Sequence, residues 1–150
     1  MLNSHSKAQT IDALNRLLIL EYRSFPMYLT YASPWTHRGD QKAAETLQNI
    51  VADQQLMAQR IAELIDRLGG LVETGEYPME FTDTHFLSLD FLLKELHQHQ
   101  RHDVAEVERL VARLAGDREA RELAEEALGM ERAHLEAVEA LLAKPAALAL

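Results

Sequence analysis

The chain contains no cysteine, which excludes disulfides, thiolate metal sites and cysteine nucleophiles. Glycine and proline are scarce, six and four in 150 residues, so little interrupts long helices. No apolar run reaches the roughly 20 residues that span a bilayer. The first ten residues are polar and lack the apolar centre of a secretory leader. Positive charge is short: 15 Lys and Arg stand against 24 Asp and Glu, a formal net charge of −9. That argues against nucleic acid or an anionic membrane surface as partner. The expected compartment is the cytoplasm. With 47% hydrophobic residues, the chain is read as one domain, 1–150, with a core of its own.

What is present is helical spacing. Four helices are expected, over 7–33, 38–68, 85–115 and 118–143. Ser6-x-x-Gln9 reads as a capping box opening the first, whose stripe is Leu14, Leu17, Leu18, Glu21, Phe25 and Tyr28. Pro26 predicts a kink there, because it leaves the Tyr22 carbonyl without its usual donor, and Pro34 ends the helix. The second helix has the cleanest stripe, Leu47 through Ile50, Val51, Met57, Ile61 and Leu64 to Leu68. Gln54 is its one strongly polar member, and Gly69-Gly70 closes it. The third stripe is Leu89, Leu93, Leu96, Gln100, Asp103, Val107, Leu110 and Leu114. The first half of that helix is apolar almost all round, which leaves its facing open. The fourth carries Leu123, Ala127, Met130, His134, Val138 and Leu141, and Lys144-Pro145 stops it before a short tail.

Connection lengths predict the topology. Residues 71–83 have no period and are long for a link between antiparallel neighbours, which takes about 2–8 residues. Extended at roughly 3.3 Å per residue, they cover about 40 Å, nearly the length of a helix of about 28 residues. A crossover of that reach lets the second and third helices run parallel, whereas Ala115-Gly116-Asp117 only turns the chain back. One long crossover in a four-helix bundle is the ferritin-like arrangement.

Charged residues fall on the apolar stripes. Glu131 and His134 are three apart and project side by side, and burying a carboxylate requires a metal, a cation or a hydrogen-bond network in answer. Glu-x-x-His aimed into a bundle is the half-site of di-iron carboxylate proteins. Glu21 holds the same place in the first stripe. Met57 reads as core filling. His97, His99 and His102 spread over different faces and read as a solvated side, and Asp53 reads as surface.

Leu14-Asn15-Arg16-Leu17-Leu18-Ile19-Leu20-Glu21, Ala58-Gln59-Arg60-Ile61-Ala62-Glu63 with Gly69-Gly70, and Glu131-Arg132-Ala133-His134-Leu135 resemble, in order and spacing, the bacterioferritin and rubrerythrin-like branch of the ferritin-like superfamily. The resemblance implies an all-α ferritin-like four-helix bundle with metal-ligand positions at Glu21, Glu131 and His134, and Tyr28 beside them. It also implies a degraded di-iron centre. Gln54 and Met57 stand where the branch carries Glu and His, and Lys94, four after Asp90, stands where it carries Glu, with Glu95 adjacent. Gln54, Met57, Lys94 and Tyr28 are thus expected to line a vestigial site, the Lys94 ammonium replacing a metal's charge. The haem methionine of bacterioferritins falls at Gln55, so no haem is expected, nor any other cofactor or ferroxidase activity. The implied role is self-association, as a homodimer or small homo-oligomer through the first two helices with Trp35 near the edge, or binding of a protein partner. Two alternatives stand beside it. One is a single divalent metal (Fe, Mn or Zn) on Glu21, Glu131 and His134, with His97 or Glu95. The other is a small molecule in the vacated centre.

Overall fold

Five α-helices and one 3-10 segment make up the described residues of the computed structural model, 4–32, 41–84 and 89–143. They are α1 (Ser4–Tyr22), α2 (Phe25–Ala32), α3 (Gln41–Arg67), the 3-10 turn Met79–Thr84, α4 (Leu89–Arg113) and α5 (Arg118–Ala143). Pro34, Trp35 and the tail after Pro145 lie outside the described residues.

The expected first helix is two helices. It begins at Ser4, two residues before the expected cap, and ends at Tyr22. Ser24 then starts α2 afresh: its Oγ accepts the Met27 N–H at 3.2 Å, as an N-cap does. Pro26 thereby falls in a first turn, where its missing N–H costs nothing. The proline accompanies a helix start rather than a kink.

Gly69 and Gly70 close α3 as expected. Gly69 has φ +82°, and the pair Gly69 N–H to Asp66 O and Gly70 N–H to Ile65 O, each 2.9 Å, forms a Schellman cap. Gly70 also lies so near α1 that a Cβ there would meet Ile11 Cγ2 at 2.7 Å. At the other short turn, Asp117 Oδ1 accepts the Ala120 N–H at 3.0 Å and caps α5.

Side-chain pairs establish the helix directions. The start of α1 lies beside the end of α3 through Ile11 and Gly70. It also lies beside the end of α4 through Asp12 and Arg113, 3.1 Å apart. Both helices therefore oppose α1 and run parallel to each other, as the long connection requires. α5 opposes α3, with Arg67 on Glu119 at 2.9 Å and Arg60 on Glu126. The crossover is strapped down by Asn15 of α1, which donates to Leu71 O at 2.9 Å and accepts the Glu73 N–H at 2.8 Å. Arg23 adds bonds to Thr74 O and Gly75 O, and Phe81 buries its ring 5.0 Å from that of Phe25.

The core has two halves. One gathers Leu14, Leu17, Met57, Ile61, Leu110 and Ala127 with their neighbours. The other gathers Phe25, Leu29, Ile50, Leu96, Val138 and Leu141. Along each long helix the passage from one half to the other goes through a buried polar residue: Glu21, Gln54, Gln100, and Glu131 with His134.

Candidate metal centre

Each of these polar residues sits on an otherwise apolar stripe, so packing the stripe drags it into the interior. α1 and α3 supply Glu21 and Gln54, and α4 and α5 supply Gln100, Glu131 and His134. Burial without water then makes every donor and acceptor count.

Glu131 is the hub. Gln54 Nε2–H donates to its Oε1 at 3.3 Å, and Gln100 Nε2–H donates to its Oε2 at 2.8 Å and to its backbone O at 3.0 Å. The direction of this network follows from Glu131, whose ionised carboxylate can only accept. Ser24 Oγ already accepts the Met27 N–H, and it gives its own proton to Gln54 Oε1 at 2.6 Å. An amide whose oxygen is taken must turn its NH2 toward Glu131.

His134 lies on the rim side. Its Nε2 is 2.8 Å from Asp53 Oδ2, and its Nδ1 is 3.4 Å from Glu131 Oε1. The second contact is not aligned as a hydrogen bond, and Nδ1 has no other partner. Asp53 is 56% exposed, so it is on the surface as its sequence position suggests and is also the partner that orients His134.

Glu21 is fully buried, and neither of its oxygens meets a donor among the described residues. Burial, then the Glu131 carboxylate beside it, raises its pKa well above the usual carboxylate range. A protonated Glu21 becomes a donor to Glu131. Burial pushes Glu131 up, but His134, Glu21 and Gln100 beside it outweigh that and hold its pKa below the ordinary value. Burial likewise opposes the His134 imidazolium, and Glu131 and Asp53 outweigh it, so its pKa is raised. Asp103, one turn beyond Gln100, is raised well above its usual value by burial and then by Glu131 and Glu106. Glu131 thus bears the settled negative charge of the layer, and amides and a proton surround it.

Of the residues expected here, Glu21, Gln54, Glu131 and His134 are brought together. Met57 is buried in the apolar half with Leu17 and Ile61. Tyr28 packs in the aromatic group, its ring 5.4 Å from Tyr77 and 5.6 Å from Phe81. Lys94 is a correction: it is exposed and does not answer the buried carboxylates. Glu95 lies 3.8 Å from His99. His97 bonds to Glu139 at 3.1 Å, while His99 packs on Phe25 and Phe81, so these histidines do diverge. Sequence reasoning missed Gln100 as a site residue, although it and Asp103 were the polar members of their stripe as Gln54 was of its own. It also missed Ser24, whose signal is a serine two residues before a proline.

Two irons do not fit this set. Against the four carboxylates and two imidazoles of a di-iron carboxylate bundle, this layer offers the carboxyls of Glu21, Glu131 and Asp103, one imidazole, and two amides that spend their N–H groups on Glu131. Among the described residues, no group of three or more His, Asp or Glu side chains is placed to hold a metal ion.

The ferritin-like domain model matches residues 11–147. A solved structure described as ferritin like, diiron-carboxylate proteins from Bacillus anthracis str. Ames is similar in fold. Its TM-score is 0.76 at 23% identity, over 93% of this chain and 99% of that one. No curated protein matches. No helix among the described residues is long and apolar enough to cross a membrane.

Proposed function

The chain belongs to the ferritin-like domain family, and we propose that it is a member without two-iron oxidase chemistry, which acts by associating with itself. The first half of this reading is carried by Glu131, whose two oxygens receive amide N–H groups from Gln54 and Gln100. A bridging carboxylate gives each oxygen to a cation, and here each oxygen already has an N–H pointing at it. Elemental analysis of protein purified without chelators is the test. The expected result is no stoichiometric pair of metals and no acceleration of Fe(II) oxidation in air; two irons per chain with rapid oxidation overturns it.

Association is supported by the outer face of α1 to α3. Tyr31 is 80% and Tyr22 40% exposed there, and Val72 lies beside Tyr22. Two grooves of about 510 and 300 Å³ share Tyr22 and Gln55. Large exposed apolar side chains gathered around grooves mark interaction surfaces. A homodimer or small homo-oligomer follows, without haem at Gln55, whose amide is a poor axial ligand. Sedimentation should give a small oligomer that Tyr31→Glu dissociates; a monomer at high concentration removes this half of the reading.

A second reading is a single divalent cation of iron, manganese or zinc. Among the described residues, Glu21 Oε1 and Oε2, Gln100 Oε1 and His134 Nδ1 are buried without hydrogen-bond partners, and one cation suits such acceptors. Its mark would be one metal per chain, abolished in His134→Ala.

A further inference from the structure

The amides themselves have a consequence for what the layer can hold. Gln54 and Gln100 come from different helices and approach different oxygens of Glu131, at 3.3 and 2.8 Å. Neither is free to turn over. Gln54 is oriented by the Ser24 hydroxyl, and Gln100 is held by a second bond to the Glu131 carbonyl. A cation approaching either oxygen of Glu131 meets an N–H group already pointing at that oxygen, which competes for its electron density and cannot itself coordinate. It would also meet too little charge, since two divalent ions bring four positive charges against the carboxyls of Glu21, Glu131 and Asp103. Unbalanced buried charge is expensive in either sign.

We propose that Gln54 and Gln100 are the residues that decide what this centre holds: their NH2 groups occupy the cation positions on Glu131, and exchanging both for carboxylates converts the same backbone into a divalent-metal site. The inference rests on the reading of a centre without two-metal chemistry. Exchange removes two donors, adds two charges, and leaves Glu21, Glu131 and His134 in place to complete the ligand set. The exposed Lys94 has no part in it.

The test compares full-length wild type, Gln54→Glu/Gln100→Glu and Lys94→Glu, with Zn(II) and Mn(II) as probes, by calorimetry and by thermal melting with and without metal. The double variant should melt below wild type when metal-free, because it buries carboxylates without partners. Its midpoint should rise on adding Zn(II), with affinity tightened beyond the roughly 10–100-fold that a ligand's outer partner is worth. Wild type and Lys94→Glu should show neither effect. If the double variant is unfolded without metal, recovery of its helical circular dichroism on adding Zn(II) is the same reading, and Gln100→Glu alone repeats it in a milder background. Gln54→Leu/Gln100→Leu controls for packing, since it should lose stability with no rescue by metal. A folded double variant that gains no affinity overturns the inference and leaves standing the reading of a centre without two-iron chemistry, as does failure of metal to restore an unfolded one. Wild type carrying two tightly bound metals ends both.

Discussion

His134 Nε2 lies 2.8 Å from Asp53 Oδ2, joining α5 to α3 across 81 residues of sequence. The pair ties the buried layer to the solvent-facing edge of the bundle. Burial alone would depress the imidazole, but Glu131 and Asp53 outweigh it and raise its pKa.

The sign of the pH effect follows. A raised folded pKa stabilises fully below the ordinary imidazole value of 6.5 and loses that contribution as pH rises through the folded value. Asp53→Asn should therefore lower the denaturation midpoint most at pH below about 6.5, and least well above the folded value. Solvent screening at the half-exposed Asp53 keeps the loss to about 1 kcal/mol. Urea titrations of both proteins across this range check it; equal losses at all pH values contradict it.

Glu21 tilts stability the same way by a different cause. Its folded pKa is raised, by burial first, so stability falls as pH climbs from the usual carboxylate range toward the folded value. Glu21→Gln places an N–H donor toward Glu131 without a proton to lose. The variant should match wild type in acid and exceed it by about 1–3 kcal/mol at alkaline pH, the usual cost of a buried group left unsatisfied. Denaturation midpoints at the two ends of the range decide it.

Ser24→Ala should cost about 2 kcal/mol, because it removes a helix cap and orphans Gln54 Oε1 in the interior. Lys94→Ala, at an exposed position, should stay within about 0.5 kcal/mol. Chemical denaturation of the two variants side by side gives the contrast, and a larger loss for Lys94 would restore it to the centre.

Asn15→Ala should release the crossover, since one side chain holds both Leu71 O and the Glu73 N–H. Hydrogen exchange is expected to quicken at Glu73 before the helices open, with a stability loss of about 1–3 kcal/mol. Unchanged exchange at Glu73 contradicts the strap.

Much of this molecule is written locally. Apolar residues at three- and four-residue steps determine the helices, because a helix repeats every 3.6 residues. The lengths of 71–83 and 115–117 then leave a bundle with α3 parallel to α4. The polar layer is also visible as Glu21, Gln54, Gln100, Glu131 and His134 interrupting apolar stripes. Which residue of α4 meets Glu131 was not visible there. A stripe identifies the buried face only where the other faces are polar, and Phe91, Leu92 and Leu93 fill several at once, so counting from Asp90 led to Lys94. Lys94 and Gln100 are about 120° apart around the helix; packing against α5 chose between them. The Ser24–Gln54–Glu131 direction, the pairing of His134 with Asp53 and the protonation of Glu21 were likewise decided only in the folded chain, because each depends on partners that sequence separation hides and on the exclusion of water.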